Sequence, residues 1–247
     1  MSTDLFLLSS TSVHGYGPFE HVRDAIAEFV AGARSIHFVP YAGSDHERYT
    51  TRVQELLTPI SLPMVGLNTV PDPRAAIEEA EVVFIGGGNS FRLLKALWEY
   101  DLVETIRERV QAGELRFIGS SAGTNMACPT LRTTNDMPIV QPRTFEATGL
   151  IPFQINPHYV DAVPDSQHMG ETREQRLWEF LEENDVPVLG LREGSWLRRH
   201  DDQLTLRGVA GARLFRRGRE SETFEPGADL SWLLLEPSRF DSPGPVA

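Results

Sequence analysis

The run Gly119-Ser120-Ser121-Ala122-Gly123 is a G-x-S-x-G. It follows an apolar stretch, Leu115–Ile118, and precedes the helix-compatible AGTNMAC. A strand, a sharp turn and a helix in that order form a nucleophile elbow. Glycines on either side relieve Cβ clashes, and the central hydroxyl projects above the sheet. Ser121 is therefore the candidate nucleophile, and the Ala122 N–H can point at an oxyanion. Gly86-Gly87-Gly88-Asn89 follows another apolar run and lacks the spacing of the Walker and dinucleotide loops. It reads either as a plain turn capped by Asn89 or Ser90, or as a backbone that brings a second oxyanion donor, the Gly88 N–H, to a ligand.

A serine nucleophile needs a base, and seven histidines compete. His21 falls in an amphipathic stretch and His37 inside an apolar run. His46 and His200 sit among charges, and His14 and His168 in polar loops. His158 stands in Ile155-Asn156-Pro157-His158-Tyr159, where a proline after a strand fixes the turn and makes a rigid mount. The carboxylate that orients the imidazole is open between Asp136, in Thr133-Thr134-Asn135-Asp136, and Glu193, after the Val188–Leu191 run. Cys128 reads as a buried structural thiol. No histidine and carboxylate spacing suggests a metal site, and no cofactor is expected.

The rest of the chain must position these groups. It has 247 residues, a formal net charge of −12 and a single cysteine. The acidic balance argues against nucleic acid as a partner, because phosphate contacts need a basic surface. One cysteine allows no internal disulfide and no cysteine zinc site, and a cytoplasmic location fits. No run approaches a membrane span, and the first ten residues lack the features of a signal peptide. Lys95 is the only lysine, so a Schiff-base mechanism has one candidate, which falls in a helical pattern.

Apolar runs at Leu5–Leu8, Ile36–Pro40, Leu62–Leu67, Val82–Ile85 and Leu115–Ile118 predict strands. Helical patterns at Phe19–Ala31, Asp45–Leu57, Pro71–Ala80 and Ser90–Tyr100 separate them, the last continuing through Asp101–Ala112. This alternation predicts an α/β fold, a mostly parallel sheet with helices on both faces and a site beyond the carboxyl ends of the strands. Beyond Thr130, short strands are expected at Pro138–Val140, Phe153–Ile155, Val188–Leu191, Trp196–Arg198, Leu204–Leu206 and Leu214–Phe215, with a helix at Thr172–Glu183. Without a dividing linker, residues 1–235 read as a single α/β hydrolytic domain and 236–247 as a frayed tail.

Four blocks carry a family resemblance: Gly86–Lys95, Ser121–Val140, Pro152–Tyr159 and Gly170–Arg176. Through them the chain resembles the serine-peptidase family of the aspartyl dipeptidases, which also contains cyanophycinase. The resemblance implies an α/β fold like the class I glutamine amidotransferases, flavodoxin-like, with serine in place of cysteine. It implies a triad of Ser121, Asp136 and His158, preferring Asp136 over Glu193 while leaving Glu193 a supporting role. One departure is Ser120, where relatives are expected to carry a bulkier aromatic.

The resemblance further implies hydrolysis of dipeptides and small amides bearing a free N-terminal aspartate. The partner would be a small acidic peptide, and a homodimer stays open. The β-carboxylate of such a substrate wants a bidentate cation. Arg173 is the first candidate and Arg132 the second. Glu193 is the candidate for the α-ammonium, and Asn89 joins the substrate-binding set. A cyanophycin-type or isoaspartyl specificity, or a non-catalytic binder on the same fold, are the alternatives.

Overall fold

The computed structural model describes residues 2–162 and 170–242. His168 lies outside them. In chain order the elements are β1 (Asp4–Leu8), α1 (Arg23–Phe29), β2 (Ile36–Val39), α2 (His46–Leu57), β3 (Met64–Gly66), α3 (Pro73–Glu78), β4 (Val82–Ile85), α4 (Ser90–Glu99), α5 (Leu102–Gln111) and β5 (Arg116–Ser120). There follow α6 (Ala122–Ala127), β6 (Gln154–Tyr159), α7 (Arg173–Glu183), β7 (Val188–Arg192), β8 (Ser195–His200), β9 (Gln203–Gly208), β10 (Ala212–Phe215) and β11 (Glu222–Phe224).

Two sheets result. The larger has the order β3-β2-β4-β5-β1-β8-β9. Its first five strands are parallel, and β8 and β9 join antiparallel. The smaller has the order β11-β10-β7-β6, with β6 and β7 parallel. Successive side chains of a strand point to opposite faces. Leu5, Leu7, Val83, Ile85 and Phe117 accordingly pack with α3, α4, α5 and α6, whereas Phe6, Leu8, Phe38, Phe84 and Ile118 pack with α1 and α2. Helices thus cover both faces of the larger sheet, as the apolar runs imply.

Local chemistry sets the helix starts. Asp45 caps α2 by accepting the Arg48 N–H, and Asp72 caps α3 ahead of Pro73. Thr172 and Gln175 form a reciprocal capping box on α7. The helix expected to run on through Asp101 breaks there instead. Asp101 has φ +53°, left-handed, so α4 and α5 are separate helices. Pro138–Val140 is not a strand; Ile139 is exposed, and the segment pairs with no other. The expected frayed tail is also tied down over its first residues. Arg239 and Asp185 exchange backbone hydrogen bonds, and the Ser242 N–H donates to Glu183 O.

Behind the second sheet, Asp161 receives two hydrogen bonds from Arg192, at 2.7 and 3.0 Å, and one from Arg213. This clamp ties the segment after β6 to β7 and β10. The Arg192 hydrogen bonds, opposed in part by burial, hold the Asp161 carboxyl below its ordinary value.

Three substitutions test what holds the fold. Phe38 is fully buried and packs edge-on against Tyr49 and Phe84. Phe38→Ala should lose about 3–5 kcal/mol in denaturant unfolding. Leu235→Ala, at an 87% exposed position, should stay within about 0.5 kcal/mol. Because the Asp161 pKa is lower in the folded chain, its contribution is present above the unfolded value and lost as the pH falls through the folded one. Stability measured from pH 7 downward should therefore fall less steeply at the acid end in Asp161→Asn than in the parent.

Candidate active site

Ser121 sits between β5 and α6 with φ +53° and ψ −113°. This region is barred to residues with a Cβ unless the surroundings hold them there, at a cost of roughly 1–3 kcal/mol. The surroundings do so here. The Ser121 N–H donates to Leu8 O at 3.1 Å, and Ser121 O accepts from Thr124 N and Asn125 N. The Thr124 hydroxyl reaches both Leu8 O and Gly119 O. Gly119 and Gly123 leave the turn room to close: a Cβ on Gly119 would lie 2.6 Å from Gly123 O, and one on Gly123 would drive into Ile85 O.

His158 comes from the other sheet. Pro157 faces Leu191 and Tyr159 faces Arg192, so His158 is the extra residue of a bulge. Its φ is +53°. The bulge turns the imidazole toward the first sheet, where Nε2 lies 2.9 Å from Ser121 Oγ. Its Nδ1 lies 2.6 Å from Oε1 of Glu193, in the turn between β7 and β8. The structure thus brings a hydroxyl, an imidazole and a carboxylate into one hydrogen-bonded line.

The carboxylate of that line is Glu193, and the expected Asp136 is not at the imidazole. Asp136 Oδ2 accepts the Ser90 N–H at 2.8 Å and the Thr134 hydroxyl at 3.2 Å. Ser90 is the first residue of α4, where an amide without an intrahelical acceptor and the positive end of the helix dipole both favour a carboxylate. Glu193, expected to meet the substrate's ammonium, is instead half exposed with Oε1 on His158.

Asp136 nonetheless lines the same pocket. This pocket, of about 390 Å³, is walled by Gly88, Ser121, Asn125, Thr134, Asn135, Asp136, Pro157, His158 and Arg173. Hydrogen bonds fasten the Thr133–Asp136 segment to β6. Asn135 donates to Pro157 O, and Asn156 donates to Thr133 O and Asn135 Oδ1. Asn125 donates to Ile155 O. Thr134, Asn135 and Asn125 lay in the sequence blocks but carried no signal that separated pocket walls from turns.

Arg173, in the first turn of α7, is half-buried, and no carboxylate among the described residues lies within ion-pair distance of it. Burial lowers its pKa, Arg176 adds to this, and Asp136 opposes it. Arg132 is elsewhere. Its guanidinium makes a two-pronged pair with Asp241 at 2.7 and 3.1 Å and packs near Phe145 and Phe240. Asn89 is also spent. Its Oδ1 caps α4 by accepting the Arg92 N–H, and its Nδ2 donates to Met137 O. These bonds tie it to α4 and to the Asp136 loop, and it is not among the residues that wall the pocket.

Gly88 has φ +134°, and a Cβ there would lie 2.7 Å from Ala42 O, so only glycine fits this turn. Ala122 opens α6, and its N–H has no acceptor within the helix. Cys128 is buried with its thiol pushed up to about 12, and its sulfur accepts the Ile155 N–H. A larger groove of about 800 Å³ around Arg132, Ile139 and Phe145 contains none of the reactive groups. Among the described residues no group of three or more His, Cys, Asp or Glu is placed to hold a metal ion, and no helix is long and apolar enough to cross a membrane.

Known proteins agree with this architecture. Residues 5–207 match the model of peptidase family S51. A peptidase E of Streptomyces coelicolor is 54% identical over 239 residues, 97% of this chain and 98% of that one. A probable alpha-aspartyl dipeptidase of Drosophila melanogaster is 46% identical over 233 residues, 94% of this chain and 97% of the relative. A solved structure, described as a putative peptidase E from Listeria monocytogenes, superposes with a TM-score of 0.64 at 20% identity, covering 85% of this chain and 100% of that one. The large, mostly parallel sheet flanked by helices is shared with proteins of that description, and the chain belongs to peptidase family S51.

Proposed function

We propose that this chain is a serine-type dipeptidase that hydrolyses dipeptides with a free N-terminal aspartate. The observation that carries the reading is the line from Ser121 through His158 to Glu193, opening into a pocket that also holds Arg173, which has no ion-pair partner among the described residues. The curated relatives named peptidase E and probable alpha-aspartyl dipeptidase support the same activity. On this reading the turn at Ser121 is a nucleophile elbow on a fold of the class I glutamine amidotransferase kind. Residues 1–235 act as one hydrolytic unit, because the nucleophile comes from one sheet and its base from the other. A cytoplasmic location is consistent with the single cysteine.

The chemistry is acyl transfer to water. His158 Nε2 takes the Ser121 proton as Oγ attacks the carbonyl carbon of the aspartyl residue. Glu193 holds the Nδ1–H, fixes the tautomer and stabilises the imidazolium. The Gly88 and Ala122 N–H groups receive the charge on the oxyanion. The carbon–nitrogen bond then breaks, and His158 gives its proton to the departing amine. Water, deprotonated by His158, attacks the acyl-enzyme and frees aspartate and Ser121.

Recognition falls to the pocket wall. Arg173 offers a planar fork to the β-carboxylate, and its partial burial strengthens that pairing. Of the two acids Asp136 is the one that walls the pocket, and it meets the α-ammonium. An acidic protein gains no long-range steering toward an acidic peptide, so recognition must be local.

Hydrolysis of Asp-Leu, Glu-Leu, Asn-Leu and N-acetyl-Asp-Leu, measured side by side, tests the substrate. Asp-Leu alone should be cleaved, and Ser121→Ala should reduce its rate roughly 10³-fold or more while substrate still binds. Near-normal turnover by that variant would remove Ser121 as nucleophile, and cleavage of β-linked aspartyl peptides in place of Asp-Leu would move the specificity to the isoaspartyl class. Arg173→Glu should abolish Asp-Leu cleavage yet leave acylation by a serine-directed fluorophosphonate intact. Between the carboxylates, Glu193→Gln should lower kcat by roughly 10²–10⁴-fold. Asp136→Asn should chiefly raise KM for Asp-Leu and spare fluorophosphonate acylation; the reverse pattern would return Asp136 to the imidazole.

A further inference from the structure

The bulge that aims His158 is held by a side chain from a different sheet. In a regular parallel ladder the amide after Pro157 would donate to the carbonyl of Leu191, the residue opposite. Here the Ser9 hydroxyl stands between the two groups. It accepts the His158 N–H at 2.9 Å and donates to Leu191 O at 2.8 Å. Ser9 is completely buried. An amide extruded by a bulge and a carbonyl that has lost its donor would otherwise each leave an unmet hydrogen bond. One hydroxyl, as acceptor and donor together, meets both.

The same residue grips the carboxylate's turn from both sides. Leu191 lies two residues before Glu193. The Ser9 N–H donates to Ser195 O at 3.0 Å, two residues after it. The residue before Ser9 does the corresponding work for the nucleophile, because Leu8 O accepts the Ser121 N–H and the Thr124 hydroxyl. The dipeptide Leu8-Ser9 is therefore the common reference point for Ser121, His158 and Glu193.

We propose that Ser9 is a positioning residue for the reaction: its hydroxyl, spliced between the His158 amide and the Leu191 carbonyl, fixes the bulge that aligns His158 with both Ser121 and Glu193. It touches neither substrate nor reacting atoms and acts through His158. The proposal rests on Ser121 and His158 being nucleophile and base. Removing the hydroxyl lets His158 close toward the ladder and withdraw from Ser121. A displacement of about 1 Å in a reacting group can cost roughly 100-fold in rate.

Ser9→Ala and Ser9→Thr, compared with the parent chain, test this. For Ser9→Ala, kcat on Asp-Leu should fall roughly 100-fold with KM little changed. The fluorophosphonate acylation rate should fall in parallel. The downfield proton resonance of the His158–Glu193 hydrogen bond should move or vanish. Ser9→Thr keeps the hydroxyl and should recover most of kcat and the resonance. If Ser9→Ala gives no folded protein, Ser9→Cys replaces it and must show the same loss, since a thiol hydrogen-bonds weakly.

Parental kcat in the hydroxyl-free variant overturns the proposal. So does a reduced kcat with the resonance unmoved and no recovery in Ser9→Thr. An inactive Ser121→Ala beside a fully active Ser9→Ala would remove this inference alone. A parent chain that left Asp-Leu uncut would instead fail the substrate reading, and the acylation rate would then report on Ser9.

Discussion

The 2.9 Å contact between Ser121 and His158 joins residues from two sheets that share no strand. Everything else in the site follows from keeping that seam in register. The first sheet supplies a serine in a backbone conformation that a free chain would abandon. The second supplies a histidine pushed out of its own ladder. Neither distortion is stable by itself, and each is over-determined by hydrogen bonds from its surroundings. The β7–β8 turn closes the arrangement, because β7 belongs to the small sheet and β8 pairs with β1 in the large one. Glu193 stands in that turn.

This geometry explains which parts of the site could be read from the sequence. Ser121 was legible because a strand-turn-helix with flanking glycines is a local event. His158 was legible because a proline-set turn after a strand is also local. The acid was not. Glu193 meets His158 only because a chain reversal carries it from one sheet to the other, and no spacing of residues records that crossing. Asp136 stood in one of the four blocks that carry the family resemblance, and it does line the pocket. One oxygen of its carboxylate, Oδ2, however, accepts the first amide of α4 and the Thr134 hydroxyl rather than an imidazole N–H. Arg173 and Arg132 were indistinguishable by type. Arg132 has its partner in Asp241, far along the chain, which no local pattern foreshadows.

The elements themselves show the same division. The continuous apolar runs of β1, β2, β4 and β5 were readable because a strand covered on both faces must be apolar throughout. Pro138–Val140 has a similar composition and forms no strand, since strand formation needs a neighbour and none is offered. The break at Asp101 was hidden because its left-handed conformation is a property of one residue. The three-residue β11 is too short to show alternation. Ser9 was hidden for a further reason: a serine at the end of a strand usually signals only a turn, and its hydroxyl acquires meaning from residues about 150–180 positions away.

The exposure of Glu193 has an electrostatic consequence. Its side chain is 51% accessible and that of His158 35%, so water reaches the outer end of the line. A charge pair bathed by solvent is weakened by a high local dielectric and by dissolved ions, whereas a directional hydrogen bond depends chiefly on orientation. The carboxylate therefore works more as a mechanical stay for the imidazole than as a deep reservoir of negative potential. A protein built this way can place its acid at the exposed tip of a turn whose flanks, Arg192 and Ser195, stay fixed in the sheets, so long as the angle of approach to Nδ1 is kept.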